Sequence, residues 1–430
     1  MHMRPLYKIL LLLLLSTAIE TSFYLYYKQA ATGYLAEPIT EHTAALESGT
    51  IPPADEIDLA NDPWVKVAHF ESAFYQVTFA VDTIMSLAIA WLLIFGGVSA
   101  AIARWARQLT PNIHFFRALY LAGFTAIFAL LGLPLYLSSF AIAALRGTSL
   151  QTFDAIPFYF LQDLVVGAIF AILTFVPFYW IMDRYRKWWW AIGAVFFTLF
   201  SVFTAYIGPY VIDPLYVDAR PMEEGPTKQE LLSIAERANV EVGNQLFVSH
   251  ISDVSYESNA MVTGLGNTKR IVIDDTMLAF YTPDEIGFIL AHELGHYTRG
   301  DIWKSLAGTA VLNLMSFAML AVIFTWIVRR YGARVGARHV NDIVLYPLIG
   351  TLLTFLSFAT APVTSYLSRA DERAADAFAL QLTGDAQAGI DGFTKNAYQG
   401  FIDPNPPELL QWWFGTHPTM QERIDTLRDQ

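Results

Sequence analysis

The chain has 430 residues, no cysteine, a formal net charge of -12, 54% hydrophobic but only 15% charged residues, and a mean hydropathy of +0.39. Soluble domains carry about 25% charged residues, so this composition places the chain in a membrane. It excludes disulfides, iron–sulfur clusters and thiolate metal sites, and the acidic balance argues against a nucleic acid partner.

Seven apolar stretches are long enough to span a bilayer, which takes about 20 residues: about 7–27, 70–103, 116–145, 157–182, 188–212, 306–328 and 343–367. Arg4 and Lys8 ahead of a leucine run also fit a cleaved leader. Against that, Phe23, Tyr24, Tyr26 and Tyr27 read as an interfacial belt, as do Trp188, Trp189 and Trp190. Three acids fall within apolar stretches, Glu20, Asp82 and Asp163. They are expected near segment ends or facing a watery cavity.

Basic residues cluster at Arg4/Lys8, Arg104/Arg107/Arg117, Arg184/Arg186/Lys187 and Arg329/Arg330/Arg334/Arg338, whereas residues 29–70 hold seven acids and one base, Lys66. The positive-inside rule makes the basic loops cytoplasmic and puts the two polar blocks on the outer side. The chain divides into a five-helix membrane region (1–212), a first polar block (213–305), a membrane hairpin (306–367) and a second polar block (368–430).

In the first polar block, 226–238 reads as a helix with Thr227 as N-cap and Glu230 completing a capping box. Strands are expected at 245–249, 259–264 and 270–274, the last two joined by a turn through Gly266 and Asn267. The next helix starts clearly, with Thr282 as N-cap, Pro283 at N1 and Glu285 at N3, and Gly300 suits its end. It carries His292-Glu293-Leu294-Gly295-His296, an H-E-x-x-H motif. Two histidines at i and i+4 share a helix face and can reach one metal ion, with Glu293 beside it as a base. In the second polar block Glu372 and Asp376 repeat the i, i+4 spacing. Glu372 is the candidate third ligand to a single Zn2+, and Asp376 the carboxylate that accepts the outer N–H of a ligating histidine.

These residues point to metal-assisted peptide hydrolysis, in which Glu293 takes the proton of the attacking water and passes it to the leaving nitrogen. An oxyanion donor is needed as well, and His417 and Arg423 are the candidates. His250 and His339 read as structural.

The chain resembles the type I CAAX prenyl protease family of integral-membrane zinc metallopeptidases. The resemblance rests on seven spans, H-E-L-G-H after the fifth, Glu372-x-x-x-Asp376 after the seventh, and the closing His417-Pro418 with Glu422-Arg423-Ile424. It implies a mainly α polytopic fold, with seven helices around a water-filled chamber and a gluzincin-type domain carrying a small β-sheet. It implies zinc on His292, His296 and Glu372, and Glu293 as base. Ser258-Asn259-Ala260 ahead of Lys269-Arg270-Ile271-Val272 looks like the family's edge strand, which makes Asn259 and Ala260 substrate-binding. It also implies cleavage of C-terminal tripeptides from prenylated proteins and a role in membrane-protein quality control, the latter shared by HtpX-type relatives. The eukaryotic members face the cytosol, opposite to the charge pattern here. The partners implied are a peptide or protein substrate and membrane lipid; no oligomeric state is specified. A transporter lacks support, because no broken apolar segments recur in matching halves. A pseudoenzyme scaffold is disfavoured by the intact motifs.

Overall fold

The structure, a computed structural model, describes residues 5–241 and 245–430, so Arg4 lies outside the described residues. The helices in chain order are α1 (Pro5–Ala31), α2 (Ala36–Glu47), α3 (Pro63–Phe95), α4 (Val98–Leu109), α5 (Ile113–Arg146), α6 (Ile156–Arg184), α7 (Trp189–Val211), α8 (Pro226–Arg237), α9 (Asp275–Phe280), α10 (Pro283–Thr298), α11 (Asp301–Val335), α12 (Tyr346–Thr383), α13 (Ala386–Gln399), α14 (Glu408–Phe414) and α15 (Met420–Arg428). Four short strands, β1 (Ala219–Pro221), β2 (Leu246–Ser249), β3 (Ala260–Thr263) and β4 (Arg270–Asp274), form one sheet in the order β1-β2-β4-β3.

Among the described residues seven helices are long and apolar enough to cross a membrane: α1, α3, α5, α6, α7, α11 and α12. Each expected stretch falls on one of them, with one correction. The stretch 70–103 is not continuous. It stops at Gly96 and Gly97, where Gly97 adopts φ +80°, and the chain turns into the separate helix α4. That helix buries Val98, Ile102 and Ala106 and exposes Arg104, Trp105 and Arg107, the pattern of a helix lying along an interface. A second correction concerns Trp189, expected in an aromatic belt. It is buried and stacks on Phe324 at 6.0 Å, while Trp188 is exposed as a belt residue should be. A third concerns α8, where Pro226 occupies N1 and Gly225 the N-cap, leaving Thr227 inside the helix.

Apolar side chains pack into two separate cores. One joins the C-terminal end of α1 and the N-terminal end of α3 to the sheet, α8, α10, α13 and α15, through Tyr27, Trp64, Phe74, Phe288 and Ile424. The other joins the opposite ends of the spans, through Leu93, Tyr120, Phe178, Phe317, Phe324 and Val344. Between them the spans are thinly packed. No residue is buried in 75–88 of α3, 157–173 of α6, 302–315 of α11 or 353–364 of α12. The spans are thus not closed against one another at mid-length, as helices around a chamber would be. Within this zone Glu20 accepts a hydrogen bond from Ser138 Oγ at 2.9 Å and faces Asp82, and Asp163 meets Tyr216.

The second core is also the basic end. Lys8 Nζ donates to the Gly96 carbonyl there, Arg107 stacks on Phe116 at 3.7 Å, and Arg117 pairs with Asp183 at 2.7 Å. The sheet and the polar blocks lie at the other end. β2 and β4 run parallel, while β1 and β3 are antiparallel edge strands. Every residue of β4 is buried, as suits a strand paired on both sides. β1 was not expected: three residues ending in proline show no alternation to read.

Candidate active site

The capping box expected at the start of α10 is present. Thr282 N–H donates to Glu285 Oε2 at 2.8 Å and Glu285 N–H to Thr282 Oγ1 at 3.4 Å. Glu285 is buried and also meets Lys395 Nζ at 2.7 Å, which pins the start of α10 to α13. From that fixed origin His292 and His296 emerge one turn apart. Gly300, with φ +67°, ends the helix.

Opposite them, α12 presents Glu372 and Asp376. His292 Nε2 lies 3.2 Å from His296 Nε2 and 3.3 Å from Glu372 Oε2, and His296 Nε2 lies 3.3 Å from Glu372 Oε1. His292 Nδ1–H donates to Asp376 Oδ1 at 2.7 Å and His296 Nδ1–H to Asp301 Oδ2 at 2.9 Å. Each ring proton is therefore committed to an outer carboxylate. Both Nε2 atoms turn lone pairs towards each other and towards a carboxylate, and Glu372 Oε2 is buried with no hydrogen-bond partner. Such a convergence of ring nitrogens and carboxylate oxygens suits a cation at its centre. Donors about 2.0–2.1 Å from a tetrahedral ion stand about 3.3 Å from each other, so the group fits zinc.

Glu293 lies beside this cluster and accepts a hydrogen bond from the Val262 N–H of β3. Burial raises its pKa above the ordinary glutamate range, against the lowering pull of the two histidines. The pairing of β3 decides which of its groups are free. Asp274 N–H donates to the Asn259 carbonyl, and the register pairs Met261 with Val272 and Thr263 with Arg270. Bonded pairs alternate in an antiparallel ladder, so the main-chain groups of Ala260 and Val262 point away from β4, off the sheet edge. Asn259 and Ala260 both border a cavity of about 1150 Å³ that also takes in His292, Glu293 and the loop from Gly415 to Thr419.

His417 is in that loop, with its ring 58% exposed to the cavity and Nε2 at 3.4 Å from Glu372 Oε1. Thr416 Oγ1 sits 3.0 Å from its Nδ1. Donation from Thr416 to Nδ1 would leave the ring proton on Nε2, facing the cluster. Arg369, buried on α12, donates to the carbonyls of Gln411 and Gly415 and so fixes this loop.

Arg423 is not placed as expected. Its Nε and Nη2 atoms grip Asp376 at 2.9 and 2.6 Å, and its guanidinium stacks on Phe393 at 3.8 Å. It stands behind the His292–Asp376 pair, with Nε and Nη2 bonded to that carboxylate, and so orients Asp376. Asp301 was missed. It supports His296 as Asp376 supports His292, and is itself held by Lys304. An acid directly after the helix-ending Gly300 is the one signal the sequence offers.

Comparison with known proteins completes the description. The profile of Peptidase family M48 matches residues 221–430, and that of the CAAX prenyl protease N-terminal region, five membrane helices, matches residues 49–217. The chain is 30% identical to the uncharacterized metalloprotease YhfN of Bacillus subtilis over 380 residues, 86% of this chain and 87% of the relative. It is 30% identical to CAAX prenyl protease 1 of Saccharomyces cerevisiae over 250 residues, 54% of each chain. It is 26% identical to protease HtpX of Pseudomonas fluorescens over 55% of this chain and 83% of that one. The crystal structure of S. mikatae Ste24p shares the fold, with a TM-score of 0.75 at 23% identity, covering 96% of this chain and 98% of the other.

Proposed function

Since the chain belongs to peptidase family M48 and carries the CAAX-protease type of N-terminal membrane region, we propose that it holds one zinc ion on His292, His296 and Glu372 and cleaves peptides laid along β3. It is an integral-membrane metallopeptidase with several membrane-spanning helices. The observation that carries the ligand assignment is the pair of Nε2 atoms facing each other at 3.2 Å, each 3.3 Å from an oxygen of the Glu372 carboxylate.

Zinc bound there supplies a Lewis acid and lowers the pKa of a water. The side chains do the rest. Val262 N–H holds Glu293 in place, and Glu293 takes the proton of the attacking water and returns it to the leaving nitrogen. His417 Nε2–H, on the open side of the cluster, donates to the oxyanion as the carbonyl becomes tetrahedral. Asp376, Asp301 and Arg423 keep the two imidazoles in the ligating tautomer. A peptide added to β3 gains main-chain hydrogen bonds from Ala260 and from the Val262 carbonyl, beside Asn259. The same reading assigns substrate recognition to 213–305, the third ligand to 368–430, and the enclosure of the substrate to 1–212 and 306–367.

The substrates proposed are hydrophobic, membrane-associated peptides, prenylated ones included, as the names of the yeast and other relatives suggest. The basic loops gather at the end opposite the site, which supports an active site on the outer side of the membrane. That orientation favours a second reading, proteolytic quality control of membrane proteins, over processing of cytosolic prenylated chains. The cysteine-free chain allows a direct test. Single cysteines at the exposed Glu408 and Lys187 are challenged in intact cells with a membrane-impermeant thiol reagent. Labelling of Glu408→Cys alone is expected; labelling of Lys187→Cys alone would turn the site to the cytosol.

A further inference from the structure

Far from the candidate active site, the C-terminal ends of α3 and α11 meet through a run of aromatic rings. Trp91 lies 4.9 Å from Phe95, Phe95 lies 5.6 Å from Tyr331, and Tyr331 lies 5.3 Å from Trp326. Arg334 stands over Phe95 at 5.8 Å and Arg330 over Tyr331 at 5.6 Å. Lys8 reaches the same place from α1, donating to the carbonyl of Gly96, the residue after Phe95. Trp326, Arg330 and Arg334 follow one another at four-residue steps, so they share one stripe of α11. Another stripe, Phe324, Ile327 and Val335, is buried in the second core and holds the helix in place. Because that core packs the spans on one another at this level, side chains left open here point out of the bundle. Trp91 and Trp326 are 52% and 55% exposed.

The charge of this cleft has no counterpart in the protein. Residues 96–117, 183–190 and 329–345, the connections at this end, hold ten bases and two acids, Asp183 and Asp342. Both acids are engaged: Asp183 pairs with Arg117 and accepts from Asn341, and Asp342 accepts the main-chain N–H groups of Arg338 and His339. Among the described residues Arg117 alone of the ten bases meets a carboxylate. At the opposite end exposed arginines do find one, Arg220 with Asp218 and Arg373 with Glu422. The carbonyls that end α11 favour a cation in its last turn, which accounts for Arg334. They account neither for Arg330, one turn earlier, nor for Lys8.

We infer that this cleft binds an anionic phospholipid, with its phosphate on Arg330 and Arg334 and its acyl chains along Trp91 and Trp326. Arg330 stands about 6 Å beyond Trp326 along the helix, at 1.5 Å per residue. That step matches the depth of the headgroup layer, about 5–8 Å on each side of the hydrocarbon. Tryptophans mark the hydrocarbon edge, and guanidinium groups one turn apart grip phosphate oxygens by charge-assisted hydrogen bonds. Basic pockets between spans bind anionic headgroups in this way. The inference is independent of the peptidase reading.

The cysteine-free chain allows the test. Val322, one turn from Trp326 on the same stripe, and Val195 of α7 are both exposed. A bimane label is placed on Val322→Cys or Val195→Cys of the full chain in nanodiscs of phosphatidylcholine. The quencher is a minor share of brominated phosphatidylglycerol or brominated phosphatidylcholine. At Val322→Cys the anionic quencher is expected to act at a concentration about tenfold or more lower, since each arginine near a headgroup is worth about fivefold. At Val195→Cys the two quenchers should act alike. Arg330→Gln with Arg334→Gln should remove the preference at Val322→Cys. Equal quenching by the two lipids at Val322→Cys would overturn the inference, whether or not that double variant folds. So would an equal preference at Val195→Cys, the mark of a general attraction to a basic face, and so would a preference that survives the double variant.

Discussion

Gly295 of the H-E-x-x-H helix lies directly against Ala375 of the helix that carries Glu372. A Cβ built on Gly295 would stand 3.2 Å from Ala375 Cα and 3.2 Å from Phe378 Cδ1. The distance between the two motif helices, and hence from His292 and His296 to Glu372, is set by the absence of a side chain at this one position.

Gly295→Ala should therefore push α12 away by a few tenths of an ångström. Overpacking costs about 1–3 kcal/mol. Because the displaced helix carries the proposed third ligand, the loss should appear in zinc affinity as well as in stability. Zinc titration against a competing chelator checks this; an unchanged affinity would show that the helices absorb the methyl group elsewhere.

Glu293→Gln and Glu372→Ala should separate chemistry from metal binding. The first keeps every proposed ligand but cannot take a proton, so peptide turnover should fall by about 10²–10⁴-fold at full zinc content. The second removes a proposed ligand and should lower zinc content sharply. Near wild-type turnover by Glu293→Gln, or full zinc in Glu372→Ala, would reassign the residue concerned.

Asp301 gives a finer test, since it touches His296 and not the metal position. Asp301→Ala should weaken zinc binding by about 10–100-fold. Chelation of the wild type should lower Tm, because an ion bound only to the folded state stabilises it by mass action, and added zinc should restore it. The chelator-induced drop should begin at lower chelator concentration in Asp301→Ala; identical curves would remove Asp301 from the site.

Asp274, at the end of β4, carries a pH dependence of stability. Burial pushes its pKa up to about 6 from an ordinary value of 3.8, against the lowering effect of hydrogen bonds from Ser249 and the Asn259 N–H. The folded state thus holds this proton more tightly than the unfolded chain. Its contribution is most favourable below about pH 4 and is lost as pH rises to about 6. Asp274→Asn should raise Tm relative to wild type above pH 6, and the difference should shrink towards pH 4. A difference constant across that range would assign the effect to something other than titration.

The helices that cross the membrane, the helical setting of H-E-x-x-H and the partnership of Glu372 with Asp376 were all legible in the sequence. Each is written in a local period: runs of about 20 apolar residues, a capping box at Thr282 and Glu285, pairs at i and i+4. What failed was of another kind. The 70–103 stretch broke at Gly97 because a positive φ leaves no mark on hydropathy. Trp189 went into the core because burial of one tryptophan among three depends on where Phe324 arrives from another helix. Arg423 moved from the reaction to the support of Asp376 because a guanidinium's target is fixed by which carboxylate lies nearest in space.

The sequence by itself determined the membrane setting, the H-E-x-x-H and E-x-x-x-D motifs and the helix faces they share, since periodicity and residue type carry that information. Only the tertiary structure decided that His296 leans on Asp301, that Val262 N–H holds Glu293, and that Arg146 at the end of a membrane helix meets Glu257 beside the edge strand. The last joins residues separated by 111 positions. Such contacts follow from the packing of whole elements, which no local pattern records.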